Sequence, residues 1–306
     1  MARLRRSGMA PRRRHALLAA VAALVLALVV SFSLVDPKKL GGGSKGTIVI
    51  GNIPAWTDIR SSAYLWGNRL EALGYDVEYQ VLSEPAPMYA GLAAGDININ
   101  PSAWTDITHK PYMDKFRDDV EMLGTFNDSA MNMLAVPEYS SIDSIEDLKG
   151  KSGQFDGRIV GIEPGAGLTK TAQTKVIPDY GLQEYELVTS STTAMLSELQ
   201  AAMKKKDDIV VTLWKPYWAK TKFPVKELKD PKKSFGDGEG MNILGNKGFA
   251  EEFPEAAEYL GKVKLTDDQY GDLENTVVNE FGEGQEEEAV EAWLERNPDV
   301  LPPVEG

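Results

Sequence analysis

The sequence predicts an α/β protein with two similar lobes and a ligand cleft between them, preceded by one N-terminal apolar helix. Two observations predict the lobes. Short β-branched runs alternate twice with amphipathic helical segments, which is typical of parallel sheets with right-handed crossovers. Each series ends in an apolar strand that is followed by a loop with a tryptophan. Because ligands bind at that edge of open α/β sheets, the two series together predict one cleft.

The first 46 residues predict export and a tether. Six arginines precede an uncharged, mostly Ala, Leu and Val run from Ala16 to Val35, which is long enough to span a hydrocarbon core of ~30 Å. The arginines place the N-terminus in the cytoplasm and the body outside the membrane. An uncleaved membrane anchor is favoured over a cleaved signal, whose apolar region has only ~7–15 residues. The glycine-rich segment that follows, up to residue 46, predicts a flexible tether.

Composition argues against several classes of protein. The formal net charge is -13, although the N-terminal segment is basic, so an acidic body argues against nucleic acid as a partner. The chain has no cysteine, which excludes disulfides and thiolate metal sites. Motifs of serine hydrolases, zinc proteases and P-loop enzymes are absent from the sequence. Residue counting leaves only a catalytic carboxylate pair open, and no pair stands out. We therefore expect no enzyme, no cofactor and no metal.

The two series are read from period-two and helical patterns in the chain. The first predicts strands at 47–51, 76–82, 96–100 and 131–136, with helices at 61–73 and from 87. A helix is predicted next at 144–150, and the second series then predicts strands at 158–162, 184–189 and 208–213, with helices from 165 and at 191–205. Three helices follow, at 249–263, 267–280 and 286–297. Lobe 1 is expected to comprise residues 47–136 and roughly 241–306, and lobe 2 residues 137–240.

Three tryptophans stand where short apolar runs end and loops begin: Trp56, Trp104 and Trp214. Tryptophan usually packs into a core or an interface, so three at the ligand edge of a sheet are unusual. Their faces would suit a quaternary ammonium ion, which can be held only by π-faces and shape. Since two of them belong to the first series and one to the second, the cage should be complete only when the cleft closes. Trp218 is expected to pack beneath the loop of Trp214.

An anion site is suggested by two further features. His109 is the only histidine of the body and follows Trp104 by five residues. The turn Gly165-Ala166-Gly167 precedes Leu168 and opens a predicted helix, whose first amides could bind an anion. Each feature alone has an ordinary explanation. A lone histidine is usually a surface or locally bonded residue, and glycine often only supplies backbone freedom.

Several separated motifs strongly resemble the glycine betaine-binding proteins of ABC importers, the quaternary-amine uptake family. The motifs are GNIPAWTDI, EPAPMYAGLAAGDININPSAWTDITHKPY, SIEDLKG, GIEPGAGLTK, VTLWKPYWAKTKFPVKELKDPKKSFG and NKGFAEEFPEAAEYL. The resemblance as a whole covers nearly all of residues 46–306. The resemblance implies a two-lobe, periplasmic-binding-protein-like fold of type II without enzymatic activity.

The resemblance also implies the roles of the residues. Trp56, Trp104 and Trp214 would form a cage around the trimethylammonium group, while His109 and the amides of Gly167 and Leu168 would bind the carboxylate. The protein would be an extracytoplasmic monomer, membrane-anchored or secreted, that delivers glycine betaine, proline betaine or a related osmoprotectant to an ABC permease. Two alternatives stay open: a membrane-tethered sensor or adaptor, and a choline-preferring binding protein. An acidic side chain inside the cage would favour choline, which lacks the carboxylate.

Overall fold

The computed structural model describes residues 43–216 and 223–304. From Ser44 onward the chain forms one compact unit. The predicted apolar helix at Ala16–Val35, most of the tether and Trp218 lie outside the described residues. Within the described ranges, no helix is both long and apolar enough to cross a membrane.

The described residues contain one sheet of nine strands. In chain order they are β1 (Thr47–Asn52), β2 (Asp76–Val81), β3 (Ile99–Ala103), β4 (Val120–Pro137), β5 (Arg158–Val160), β6 (Glu186–Val188), β7 (Val211–Lys215), β8 (Val225–Glu227) and β9 (Glu239–Asn246). The helices are α1 (Thr57–Ala72), α2 (Pro85–Ala94), α3 (Lys110–Phe116), α4 (Gly167–Thr171), α5 (Ile177–Tyr180), α6 (Thr192–Lys205), α7 (Phe249–Glu252), α8 (Pro254–Lys262), α9 (Asp267–Asn275) and α10 (Glu286–Arg296).

Strand β4 divides the sheet into two halves, which are the two lobes of an α/β fold. Neighbouring strands follow the order β2-β1-β3-β9-β4-β7-β5-β6, with β8 also paired to β4. The first half is β2, β1, β3 and β9, and the second is β7, β5, β6 and β8. Residues Val120–Ala130 of β4 pair with β9, whereas the following residues up to Pro137 pair with β7 and β8. One strand therefore belongs to both halves.

The predicted parallel pairing is confirmed where each series begins. Strand β1 lies parallel to β2 and β3, and β5 lies parallel to β6 and β7. The sheet is nevertheless mixed, because β4 runs antiparallel to β9, β7 and β8. Only the apolar end of β4 was predicted. The polar residues Asn127, Asp128 and Ser129 interrupt its period-two pattern, and the register shifts there, as β-bulges permit.

Other elements differ at their boundaries. The predicted strand at 96–100 lies three residues later, as β3, and the predicted helix at 144–150 is only a 3₁₀ turn, Ile145–Leu148. The predicted helix at 249–263 is two helices, because Pro254 lacks the amide hydrogen that would continue α7. Strands β8 and β9 were not predicted, because β8 is short and β9 is rich in glycine. The predicted lobe boundaries stay a prediction.

The core of the first half fixes the strand that carries the site. Trp66 of α1 and Trp293 of α10 are fully buried. Trp66 packs edge-on against Phe126 with ring centroids 5.2 Å apart. Its Nε1–H donates a hydrogen bond of 2.9 Å to the carbonyl of Pro101 in β3. A large buried ring thus anchors the strand that ends immediately before Trp104.

Candidate functional site

One cavity between the two halves is lined by all six predicted site residues: Trp56, Trp104, His109, Gly167, Leu168 and Trp214. Its empty space, including the open mouth, is about 350 Å³. The wall also contains Asp58, Thr108 and Asn132. The structure therefore brings together residues that lie up to 158 positions apart in the chain.

The three indoles reach the cavity from the ends of strands in both halves. Trp56 follows β1, and its carbonyl accepts the amide of Arg60 as α1 begins. Trp104 comes directly after β3, while Trp214 lies inside β7 and not in the following loop, because β7 pairs with β4 up to Lys215. Only 7, 4 and 5 % of their surfaces are exposed. Three nearly buried indoles that face one small space form an aromatic cavity.

His109 presents a neutral imidazole to this cavity. The Trp104 amide donates to His109 Nδ1 at 3.2 Å, and the His109 amide donates to the Trp104 carbonyl at 2.7 Å. Since Nδ1 is an acceptor, the ring proton of the neutral form lies on Nε2. Burial lowers the pKa of His109 to about 4. At neutral pH the ring is therefore uncharged and carries one N–H donor.

The loop that carries His109 is held by Glu239 of β9. This carboxylate accepts the amides of Asp106, Ile107 and Thr108 at 2.9–3.2 Å, and also the Thr108 hydroxyl. Asn132 donates to the same hydroxyl at 2.6 Å. Burial raises the pKa of Glu239, although these hydrogen bonds oppose the shift. Glu239 could not be selected from the sequence, because nothing in its local pattern indicates a partner more than a hundred residues away.

The glycine turn of the second half packs directly on this loop. A Cβ atom at Gly167 would lie 2.1 Å from the carbonyl oxygen of Thr108, so only glycine allows this approach. The Tyr112 hydroxyl donates to the Gly165 carbonyl at 3.0 Å. From Gly167 the chain turns helically through α4, a π-helical stretch Ala172–Val176 and α5. The amides of Gly167 and Leu168 thus open a helix at the wall of the cavity.

Asp58 is a cavity residue that the sequence analysis did not select. Its side chain is buried, and the Ser102 hydroxyl donates to it at 3.1 Å. Burial raises its pKa to about 6, despite the opposing hydrogen bond from Ser102. The chain repeats Ala-Trp-Thr-Asp at 55–58 and 103–106, but Asp106 is exposed. This repeat was the available signal, and only the fold distinguishes its two carboxylates.

Tyr89 lies behind the cavity and does not line it. Its ring stacks on Tyr112 at 5.0 Å and meets His109 edge-on at 5.7 Å. Its role is therefore to pack behind the cavity wall. Among the described residues there is no cluster of three or more His, Cys, Asp or Glu that could hold a metal ion.

A two-lobed α/β fold with a small aromatic cavity between its lobes is the architecture of substrate-binding proteins. Residues 46–296 match the family model described as the substrate binding domain of the ABC-type glycine betaine transport system, and the chain belongs to this family. This membership confirms the resemblance found in the sequence and the expectation of a non-enzymatic protein.

Similar proteins agree with this assignment. The glycine betaine/carnitine transport binding protein GbuC of Listeria monocytogenes is 40% identical over 151 residues, which are 48% of this chain and 49% of that protein. The match thus spans about half the length of this curated relative. The glycine betaine, L-proline-binding protein ProX of Borrelia burgdorferi is similar in structure, with a TM-score of 0.76 and 30% identity over 84% of this chain and 97% of that one.

Two ligand-bound structures are also similar. Lactococcal OpuAC, closed and complexed with glycine betaine, has a TM-score of 0.76 and 30% identity, covering 83% of this chain and 97% of its own. An ABC-transporter choline-binding protein in complex with choline has a TM-score of 0.74 and 26% identity, covering 82% and 89%.

Proposed function

We propose that this chain captures glycine betaine, or a closely related quaternary amine, outside the cell and delivers it to the permease of an ABC importer. The observation that carries the proposal is the shared cavity, which is lined by three tryptophans, His109 and the glycine turn. These groups match a ligand with a diffuse cation at one end and a compact anion at the other. The glycine betaine complex of OpuAC supports this ligand class.

The cation would lie among Trp56, Trp104 and Trp214. A trimethylammonium group has no hydrogen-bond donor, so indole faces supply its attraction, with ~0.5–2 kcal/mol for each desolvated cation–π contact. The burial of the three indoles excludes water from these faces. In the absence of water, solvent does not weaken the attraction between the cation and the indole rings.

The carboxylate would be held by Nε2–H of His109 and the amides of Gly167 and Leu168. Each hydrogen bond to a charged group contributes about 1.5–3 kcal/mol. Together with the cation contacts, and after the costs of association and closure, these bonds are consistent with micromolar affinity, about -8 kcal/mol.

Asp58 favours a second candidate ligand, choline. A carboxylate that lines the cage would attract any quaternary cation but would repel a nearby ligand carboxylate. Choline carries a hydroxyl group in place of that carboxylate and avoids the repulsion. The choline complex of a similar protein supports this candidate. Glycine betaine stays the first proposal because His109 and the glycine turn supply donors for an anion.

The remaining features are proposed with the function. The lobes would comprise residues 47–136 with roughly 241–306, and residues 137–240, in an arrangement of type II. The protein would act as a monomer, held at the outer face of the membrane by its N-terminal segment or secreted. A membrane-tethered sensor is the alternative role, and co-purification with a permease would favour delivery.

The test is isothermal titration of the purified protein with glycine betaine, proline betaine, choline and carnitine. We expect saturable heat with glycine betaine and competition that intrinsic tryptophan fluorescence also reports. The absence of heat with every methylated ammonium compound would refute the proposal. Tighter binding of choline than of glycine betaine would select the second candidate.

A further inference from the structure

Glu163 is a buried carboxylate that joins the two halves of the protein at the rim of the cavity. It lies just after β5, four residues before Gly167, and only 8 % of its surface is exposed. Thr192 donates to it twice, from its amide and from its hydroxyl, at 2.9 Å each. The indole Nε1–H of Trp56 donates a third bond of 2.9 Å. Among the described residues, its hydrogen-bond donors Thr192 and Trp56 are both uncharged.

These three bonds are not equivalent, because they come from different halves. Thr192 is the first residue of α6, in the same half as Glu163, and the positive end of a 14-residue helix stabilises a carboxylate there. Trp56 follows β1 in the other half. The carboxylate is therefore anchored on its own half, while its bond to Trp56 crosses the cleft and exists only when the halves meet.

The bond across the cleft also fixes the orientation of a cage wall. An indole ring has a single N–H, so a hydrogen bond to it sets the rotation of the whole ring. With Nε1–H on Glu163, the ring of Trp56 lies nearly parallel to the imidazole of His109, 16° apart. A hydrogen bond to a carboxylate also pushes electron density into the indole, and a more negative π-face attracts a cation more strongly.

We propose that Glu163 is a positioning residue that captures the Trp56 indole on closure and so couples closure of the lobes to the shape of the cation cage. This proposal rests on the proposed function for its ligand, but the hydrogen bond itself can be observed without one. Glu163 would not touch the ligand; it would act through Trp56.

The test combines titration with NMR of the protein labelled with ¹⁵N-tryptophan, in which the Trp56→Phe variant assigns the Trp56 indole signal. Glu163→Ala removes the acceptor, and Glu163→Gln keeps an acceptor oxygen without the charge. Glu186→Ala is the matched control, because Glu186 is an exposed carboxylate of the same half. The probes are glycine betaine and choline.

We expect glycine betaine to move the Trp56 indole proton downfield in the natural protein and in Glu186→Ala. In Glu163→Ala this shift should be lost and Kd should rise about tenfold or more, the loss of one charge-assisted bond. Glu163→Gln should fall between the two, which keeps the test valid if Glu163→Ala folds poorly.

An unchanged Trp56 shift in Glu163→Ala and Glu163→Gln would overturn the proposal, even if affinity fell, since the loss would then be merely structural. Equal Kd values in all variants would also overturn it. If the natural protein binds neither probe but its Trp56 signal still depends on Glu163, the proposed function is refuted while the hydrogen bond between Glu163 and Trp56 is supported.

Discussion

The imidazole of His109 and the indole of Trp56 stack at 6.4 Å with 16° between their planes. The residue that would bind the anion therefore lies beside one that would bind the cation, with the two rings nearly parallel. A zwitterion with a short spacer between its charges fits such an arrangement best.

The cage predicts a large loss when an indole is removed. Trp104→Ala or Trp214→Ala should weaken glycine betaine binding tenfold or more, since each removes a desolvated cation–π face. Trp→Phe at the same positions should restore part of the affinity. Tyr139→Ala, which removes an exposed aromatic ring, is the control and should leave binding unchanged. Unaltered titrations for both tryptophan variants would refute the cage.

His109 predicts a difference between ligands. His109→Ala removes the Nε2–H donor, so Kd for glycine betaine should rise ten- to a hundredfold, the value of one hydrogen bond to a charged group. Choline has no carboxylate and should lose little affinity. Titration of one variant with both ligands checks this. Equal losses for the two would show that His109 only supports the loop.

The same histidine predicts how stability depends on pH. Burial holds the pKa of His109 at about 4 in the folded protein, below the value of ~6.5 for an exposed histidine. Between these values the unfolded chain binds the extra proton, so stability is full above pH ~6.5 and falls toward pH 4. Thermal unfolding from pH 4 to 7 should show a shallower fall in His109→Gln. A parallel fall in both proteins would contradict this assignment.

Asp58 predicts pH-dependent binding of choline. Burial raises its pKa to about 6 in the free protein, so below pH 6 the carboxylate is mostly neutral. A bound cation favours the charged form, so affinity should increase from pH 5 to pH 7 and then level off, with proton release on binding. Asp58→Asn should bind choline more weakly and without this dependence. Titrations at three pH values would decide, and a flat profile in the natural protein would exclude a role for Asp58.

The contact at Gly167 predicts that the two halves can close only if residue 167 has no side chain. In Gly167→Ala the Cβ would meet the Thr108 carbonyl at 2.1 Å, so the halves could not approach fully. Binding of every ligand should fall at least tenfold while the free protein unfolds at nearly the same temperature. Gly153→Ala is the matched control, because no heavy atom lies within 4 Å of a Cβ there. Tight binding by Gly167→Ala would show that this contact is not required.

Local patterns were sufficient for the parts of the fold that obey them. The predicted ends of strand β1 and helix α6 lie within about one residue of the observed ends. Their periodicity is regular, and capping residues mark where they begin or end. The polar half of β4 and the glycine-containing β9 were missed, since their strand conformation comes from partners distant in sequence. Secondary structure that depends on long-range pairing leaves a weak local pattern.

The candidate site shows the same division. All six selected residues line the cavity, because each stands at a strand end or a turn that the chain itself marks. Asp58, Glu163 and Glu239 were missed although they bond to or adjoin those residues. Carboxylates are abundant in this acidic chain, and only burial distinguishes these three from the solvated ones. Which acid is buried is decided by tertiary packing.

Strand β4 has a mechanical consequence. Because both halves of the sheet pair with this one strand, a change in the angle between them must twist it near Ala130, where its pairing passes from β9 to β7. The register irregularities between Met122 and Ala130 have already loosened the ladder on that side. A rotation of one half of the sheet relative to the other would therefore have to be absorbed by backbone torsions of this one strand.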